Sequence, residues 1–164
     1  MVKRDRDQKY YGGNMMLGKC MAKMMNRWRL GTLLAIALLQ ACAGAPQQTL
    51  YEKIGGEPVV QKIVDNFIVE IGYDQQIFKF FAESDIDRFR EKMTEHICHV
   101  TDGPCQYTGD TMLDVHANMG VKEGDFNRTV DLLINAMTQA DVPHPLQNQL
   151  VARLAPMRGD IIYR

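Results

Sequence analysis

Apolar residues recur every three or four positions from residue 50 onward, and this helical spacing constrains the fold more than any other feature. Four such stripes cover residues 59–71, 86–100, 126–137 and 146–161. Glycines precede the first stripe, Ser84 or Asp85 is predicted to cap the second helix, and a Pro143-His144-Pro145 break opens the fourth. The sequence has no alternating β pattern and no internal repeat. It therefore predicts an all-α domain.

Charge divides the chain into two parts that the net value of −1 conceals. Residues 1–42 contain 8 Lys and Arg against 2 Asp and Glu, whereas residues 43–164 contain 11 against 18. The net charges of +6 and −7 indicate different roles for the two parts. An acidic body argues against nucleic-acid binding, which needs a basic face toward phosphates. Four cysteines are also too few for a disulfide scaffold.

The basic part contains a pattern typical of an export signal. Arg27 and Arg29 precede an uncharged, mostly apolar run at residues 30–41, which is too short to span a hydrocarbon core. The run ends in Leu39-Gln40-Ala41-Cys42 and resembles a bacterial lipobox, in which the cysteine becomes the lipidated first residue of the mature protein. The alternative is a buried N-terminal helix with an incidental cysteine.

The lipobox interpretation divides the chain into segments with separate fates. Residues 1–24 are predicted to be a mis-called start or a disordered leader, and residues 25–41 the export signal. Residues 43–48 then form a tether between Cys42 and a domain at residues 49–164. We expect a lipoprotein of the bacterial envelope that faces the periplasm and meets the membrane only through its lipid.

Two features of the helical body do not suit a plain bundle. Phe78, Phe80 and Phe81 crowd a short connector where polar turn residues would be enough. His116 lies on the apolar side of a short helix, one turn after Met112. Taken alone, such a histidine is more often a core residue than a ligand.

An ordered set of motifs resembles the group I truncated haemoglobins over about residues 49–162. The set comprises Leu50-Tyr51-Glu52-Lys53-Ile54-Gly55-Gly56, Val64-Asp65-Asn66-Phe67, Phe80-Phe81, Gly103-Pro104, Tyr107-Thr108-Gly109, Met112, Val115-His116 and Leu154-Ala155-Pro156. The resemblance implies a two-over-two helical sandwich that encloses haem b. It also implies that His116 is the proximal iron ligand and that Phe81 wedges against the haem on the distal side. Tyr107 is expected to close the edge of the pocket, and further pocket contacts are expected from Phe67, Ile68, Phe80, Phe89, Lys92, Met93, Ile97, Met112, Val121, Phe126 and Leu133.

The distal side departs from the family pattern. Ile68 stands where relatives commonly have tyrosine, and Phe89 and Met93 stand where glutamine is frequent. None of these side chains donates a strong hydrogen bond to bound O₂. Loss of a hydrogen bond to a charged group costs roughly 1.5–3 kcal/mol, or about 10- to 150-fold in affinity. We therefore expect weak O₂ binding and doubt rapid nitric oxide dioxygenation.

Lys92 is the polar residue expected at the pocket rim. It is predicted to be solvated or to pair with a haem propionate, and the alternative is an amine ligand to iron in its deprotonated form. Met93 as a thioether ligand is a further alternative. His96 and His99 are expected to lie too far along the helix to reach iron, and His144 to lie on the surface.

Cys98 and Cys105 flank the Asp102-Gly103-Pro104 turn and leave two possibilities open. In a reducing cytosol they would be free thiols. In an oxidising envelope they could pair and join the end of the distal helix to the following loop.

The preferred function is a haem b protein that binds a diatomic gas, with NO or CO favoured over O₂. One alternative is a nitric oxide dioxygenase or peroxidase-like enzyme with an electron donor as its partner. A second is an electron carrier with both axial positions filled, and a third is a helical lipoprotein without a cofactor. The domain is expected to be a monomer or a weak oligomer.

Overall fold

The computed structural model describes residues 47–164, and within this range the secondary structure is entirely helical. The prediction of an all-α domain is confirmed for this range. The helices are α1 Leu50–Ile54, α2 Gly56–Tyr73, α3 Gln75–Phe78, α4 Ile86–Val100, α5 Met112–Val115, α6 Glu123–Gln139, α7 His144–Leu154 and α8 Arg158–Ile161, with a 3₁₀ turn at Ala155–Met157 between the last two.

A capping box and a left-handed glycine define the entry to the domain. Thr49 accepts a hydrogen bond from the Glu52 amide, and the Glu52 carboxylate accepts one from the Thr49 amide. Gly55 then ends α1 with a φ of 113°. This left-handed conformation is strained for any residue that has a side chain, so glycine suits the position. A Cβ at this position would also lie 2.5 Å from Val59 Cγ2. The sharp turn sends α2 directly away from α1.

The core forms where α2 packs against α6 and α4. Val60, Ile63 and Val64 on α2 are fully buried, as are Ala136 and Met137 on α6. These positions come from the first and third stripes, so the apolar periodicity predicted the faces that meet. The Asn66 amide also donates to the Ala136 carbonyl at 3.2 Å and fixes the register of the two helices.

The phenylalanine-rich connector is held by polar contacts at its start. Asp74 caps α3 and accepts a 2.6 Å hydrogen bond from Arg128 on α6. The Gln76 amide donates to the buried Asp125 carboxylate at 3.0 Å. These bonds anchor α3 on α6, so the residues after α3, including Phe80 and Phe81, are directed over the interior.

The fourth apolar stripe does not form one continuous helix. It is divided into α7 and α8 by the 3₁₀ turn that contains Pro156. A proline has no amide hydrogen to donate to the carbonyl four residues earlier, so an α-helix cannot continue through this position without a missing bond. The second stripe, by contrast, extends over the whole of α4, and Asp85 caps the start of this helix.

Cys98 at the end of α4 and Cys105 in the next loop form a disulfide, with Cα atoms 5.8 Å apart. Of the two possibilities left open by the sequence, the structure has the paired form. The export signal, the lipobox and Cys42 lie outside the described residues. Among residues 47–164, no helix is both long and apolar enough to cross a membrane.

Candidate haem pocket

A cavity of about 560 Å³ lies between the helices and is lined mainly by apolar side chains. This volume lies within the range of small-molecule and cofactor sites. Most of the predicted pocket residues meet here: Phe67, Phe80, Phe81, Phe89, Lys92, Met93, Tyr107, Met112, His116, Phe126 and Leu133. Several large aromatic residues in this set are only half-buried, because part of their surface faces the cavity.

His116 is presented to the cavity by the turn that ends α5. Thr111 starts this helix by accepting a hydrogen bond from the Asp114 amide, and the helix ends four residues later. The His116 Nδ1 lies 2.7 Å from the Met112 carbonyl oxygen. A carbonyl oxygen only accepts, so Nδ1 carries the proton and Nε2 keeps its lone pair. The side chain thus has the tautomer that a metal-binding imidazole needs, with an acceptor behind it.

A smaller cavity of about 100 Å³ adjoins the larger one and shares His116, Phe80 and Phe81 with it. Val121 was expected to contact the haem, and it lines this smaller space rather than the larger cavity. Val121 follows Gly120, which has a φ of 63°. The Val121 carbonyl accepts a hydrogen bond from the Tyr163 amide. The C-terminal end of the chain therefore closes this side of the pocket.

Three phenylalanines form a continuous aromatic wall. Phe81 and Phe89 meet edge to face with ring centroids 5.1 Å apart, and Phe67 lies 6.4 Å from Phe89. Such pairs add roughly 0.5–1.5 kcal/mol beyond the area they bury. The wall joins α2, the connector and α4, so it gives the cavity a fixed apolar surface.

Ile68 and Ile97 are not among the side chains that line this cavity, and their expected contact with the haem stays a prediction. Ile68 packs against the core and Ile97 is completely buried within it. Their neighbours Phe67 and His96 line the cavity instead. Successive residues on an α-helix point about 100° apart, so a shift of one position turns a side chain away from the cavity. The apolar surface that α4 presents to the cavity is made by Phe89 and Met93.

Lys92 lies at the cavity rim with its amino group fully engaged by protein atoms. Its Nζ donates to Glu91 at 2.8 Å, to Glu95 at 3.1 Å and to Thr108 Oγ at 2.7 Å. Hydrogen bonds to Glu91 and Glu95 raise the pKa of Lys92, and those from Thr108 lower the pKa of Glu95. Both effects favour the charged forms. The neighbouring Arg88 also lines the cavity and lies 3.3 Å from Asp110.

His96 lines the cavity, although its sequence position on α4 suggested a minor role. It is buried, and its Nδ1 has no hydrogen-bond partner among the described residues. Its ring meets that of Tyr107 with centroids 5.0 Å apart, and the Tyr107 hydroxyl donates to the Asp110 carbonyl. Helical spacing alone could have predicted that His96 lines the cavity, because it lies on the same face of α4 as Phe89 and Lys92. His99 and His144 are exposed, outside this lining.

The residues present fit a haem. The porphyrin ring needs a broad apolar space, its iron needs a neutral imidazole, and its propionates need cations at the edge. The aromatic wall and His116 supply the first two features, and Arg88 and Lys92 lie at the rim of the cavity, paired with carboxylates of the protein.

Comparisons with known proteins agree with this reading of the fold and pocket. Residues 49–163 match the bacterial-like globin family. The Group 1 truncated hemoglobin GlbN of Mycolicibacterium paratuberculosis is 30% identical over 117 residues, which cover 71% of this chain and 86% of that protein. The corresponding protein of Nostoc commune is 27% identical over 70% of this chain and 97% of its own length.

Solved structures give the same result for the fold. The Fe(III) form of the truncated hemoglobin from Tetrahymena pyriformis superposes with a TM-score of 0.69 at 25% identity, over 71% of this chain and all of that chain. The helical sandwich and its pocket are thus those of a globin of the bacterial-like family. Within that family, the chain belongs to the group 1 truncated haemoglobins.

Proposed function

We propose that this globin holds haem b through His116 and binds a diatomic gas at the iron. When bound, the haem supplies an iron with an open coordination position for NO, CO or O₂. The chain supplies an imidazole with a fixed tautomer and a cavity lined mainly by apolar side chains. The observation that carries the proposal is the 2.7 Å contact between His116 Nδ1 and the Met112 carbonyl, which leaves Nε2 free to bind metal at a cavity of suitable size.

The lining of the pocket favours NO and CO over O₂. Phe89 and Met93 lack strong hydrogen-bond donors, and the Tyr107 hydroxyl is already used by the Asp110 carbonyl. His96 is the polar lining residue of α4 beside Lys92, and its Nδ1 is enclosed by protein atoms, so it is not placed to donate into the cavity. Bound O₂ draws charge from iron and gains most from a donor, whereas NO and CO depend on one less. The same lining gives little support to a dioxygenase or peroxidase function, since both need a polar distal group.

The sixth position is proposed to be open in the resting protein. An electron carrier with two protein ligands would need the Lys92 nitrogen, yet three acceptors hold that nitrogen at the rim. Those contacts support the gas-binding function over the electron carrier.

The haem assignment is tested by replacing His116 with alanine. The His116→Ala variant should lose most of its haem, as measured by the Soret absorbance per protein after size-exclusion chromatography. His144→Ala is the matched control, because His144 is exposed and outside the pocket lining, and it should keep the wild-type haem content. Equal haem content in the two variants would refute the proximal assignment.

We further propose that the globin works in the bacterial envelope, anchored by a lipid on Cys42. The resemblance of residues 39–42 to a lipobox supports this location. The disulfide between Cys98 and Cys105 supports it independently, since such bonds form and persist mainly in oxidising compartments.

A further inference from the structure

The Lys92 amino group belongs to a closed network between α4 and the loop before α5. Glu95 uses both carboxylate oxygens: Oε1 accepts from Lys92 at 3.1 Å, while Oε2 accepts from the Thr108 amide at 2.9 Å and from its hydroxyl at 2.8 Å. The Thr108 hydroxyl in turn accepts from Lys92 at 2.7 Å. Each group therefore restrains the other two, and we call this triangle the rim network.

The rim network is sheltered compared with the other ion pairs of the domain. The side chains of Lys92 and Glu95 are 19% and 23% exposed, whereas that of Glu91 is 63% exposed. Solvent screens an exposed ion pair strongly and a partly buried one less. Glu95 also reaches across to the loop, whereas Glu91 meets Lys92 from the neighbouring position on the same helix. Glu95 is thus the partner that fixes where Lys92 lies.

The position of Lys92 matters because its side chain lines the same cavity as His116. Positions 89 and 93 on α4 carry phenylalanine and methionine, neither of which has a polar group to occupy the expected distal face. Lys92 is long and flexible, and once deprotonated its nitrogen is a metal ligand. A rim network that holds this nitrogen keeps it out of the space that a gas would use.

We propose that Glu95 is a positioning residue that, together with Thr108, holds Lys92 at the cavity rim and so keeps the distal side of the iron open to gas. This inference rests on the proposed haem function. Release of Lys92 would let its ammonium group pass one proton to solvent and form an iron–nitrogen bond, with no transfer of electrons. The rim network therefore favours the form with an open coordination position over the form in which Lys92 is the sixth ligand.

The test compares Glu95→Gln and Thr108→Val with Glu91→Gln as a matched control. Each haem-loaded protein is examined in the ferrous state, where water and hydroxide do not compete for the iron, by absorption spectroscopy and by CO association at one mildly alkaline pH. Glu95→Gln should raise the ratio of six- to five-coordinate protein roughly two- to fivefold, the effect of losing an ion pair near the surface. Thr108→Val should shift the ratio in the same direction, and Glu91→Gln should change it little.

A second substitution identifies the ligand. Lys92→Ala in the Glu95→Gln background should restore the five-coordinate spectrum and the fast association of CO. The inference is overturned if Glu95→Gln has the wild-type spectrum, or if its six-coordinate signal survives Lys92→Ala. Loss of the Soret band from the wild type would instead reject the haem function itself, so the two failures are distinguishable.

Discussion

The chemistry of His116 and Lys92 in the pocket depends on the residues that contact them. His116 would be an ordinary half-buried histidine without the Met112 carbonyl, which fixes its tautomer at 2.7 Å. Lys92 would be a mobile surface cation without Glu95 and Thr108. The sequence placed His116 and Lys92 at the pocket, and helical spacing could also have indicated Met112 and Glu95, which lie four and three residues from them. Thr108 could not be found in this way, because it lies in a loop 16 residues from Lys92 and its approach depends on the folded chain.

His96 illustrates the same dependence and gives a prediction on stability against pH. Burial, assisted by the nearby His99, lowers the pKa of His96 from its ordinary value of 6.5. The unfolded chain therefore binds a proton at a higher pH than the folded chain does. The free energy of unfolding should fall as the pH drops below about 6.5 toward the lower folded pKa, and should be unaffected by this group above that window.

Replacing His96 with phenylalanine removes this titration and retains an aromatic ring against Tyr107. Urea unfolding of His96→Phe between about pH 7.5 and about pH 5 should show a smaller loss of stability than the wild type. His144→Gln, an exposed histidine changed to a neutral side chain, should retain the wild-type dependence. An unchanged slope in His96→Phe would contradict the assignment of this pH dependence to His96.

At the scale of the elements, the spacing of apolar residues predicted α2, α4 and α6 well, because their packing faces are regular stripes. It did not predict α3, which has four residues and owes its start to the Asp74 cap rather than to a stripe. It also joined α7 and α8, although Pro156 separates them. Ile68 and Ile97 were expected at the pocket from the family resemblance, and each lies one residue from a side chain that lines the cavity, Phe67 and His96.

The turn after α4 offers a second prediction, because in it the backbone of Gly103 lies close to the Cys98–Cys105 disulfide. A Cβ added at Gly103 would lie 2.6 Å from Cys98 Sγ and 2.8 Å from Tyr51 Cδ2, so both neighbours would have to move. Gly103→Ala should lower the free energy of unfolding by about 1–3 kcal/mol, the usual cost of overpacking. The measurement is a urea titration followed by far-ultraviolet circular dichroism.

Gly72 in α2 is the matched control for this substitution, since a Cβ there would meet nothing within 4 Å. Gly72→Ala should raise stability by up to about 1 kcal/mol, because alanine is the better helix former. If both variants lost stability equally, the close approach at Gly103 would not be the cause. Together, the pair tests whether the α4 turn is tight enough to fix the loop that carries Thr108.

At the scale of the whole molecule, the net charge of −1 combines a basic segment, predicted to be a leader, with an acidic globin domain. The two parts have different physical requirements: an export signal needs positive charge before its apolar run, whereas the domain needs only to fold around its pocket. The family match begins at residue 49, just after the stretch predicted to be a tether. The globin assignment therefore does not depend on the leader, and the leader needs a test of its own.

The lipid anchor gives the last prediction, made for the full chain expressed in a bacterial host. If Cys42 is lipidated, the wild type should sediment with membranes and leave them only with detergent, because two or more acyl chains bind a bilayer stably. Cys42→Ser should move to the soluble fraction of the envelope with its haem content unchanged. Cys20→Ser is the control, because Cys20 precedes the predicted signal and should have no effect on partitioning. Membrane association of Cys42→Ser equal to that of the wild type would exclude the lipobox, and the globin would then need another means of attachment.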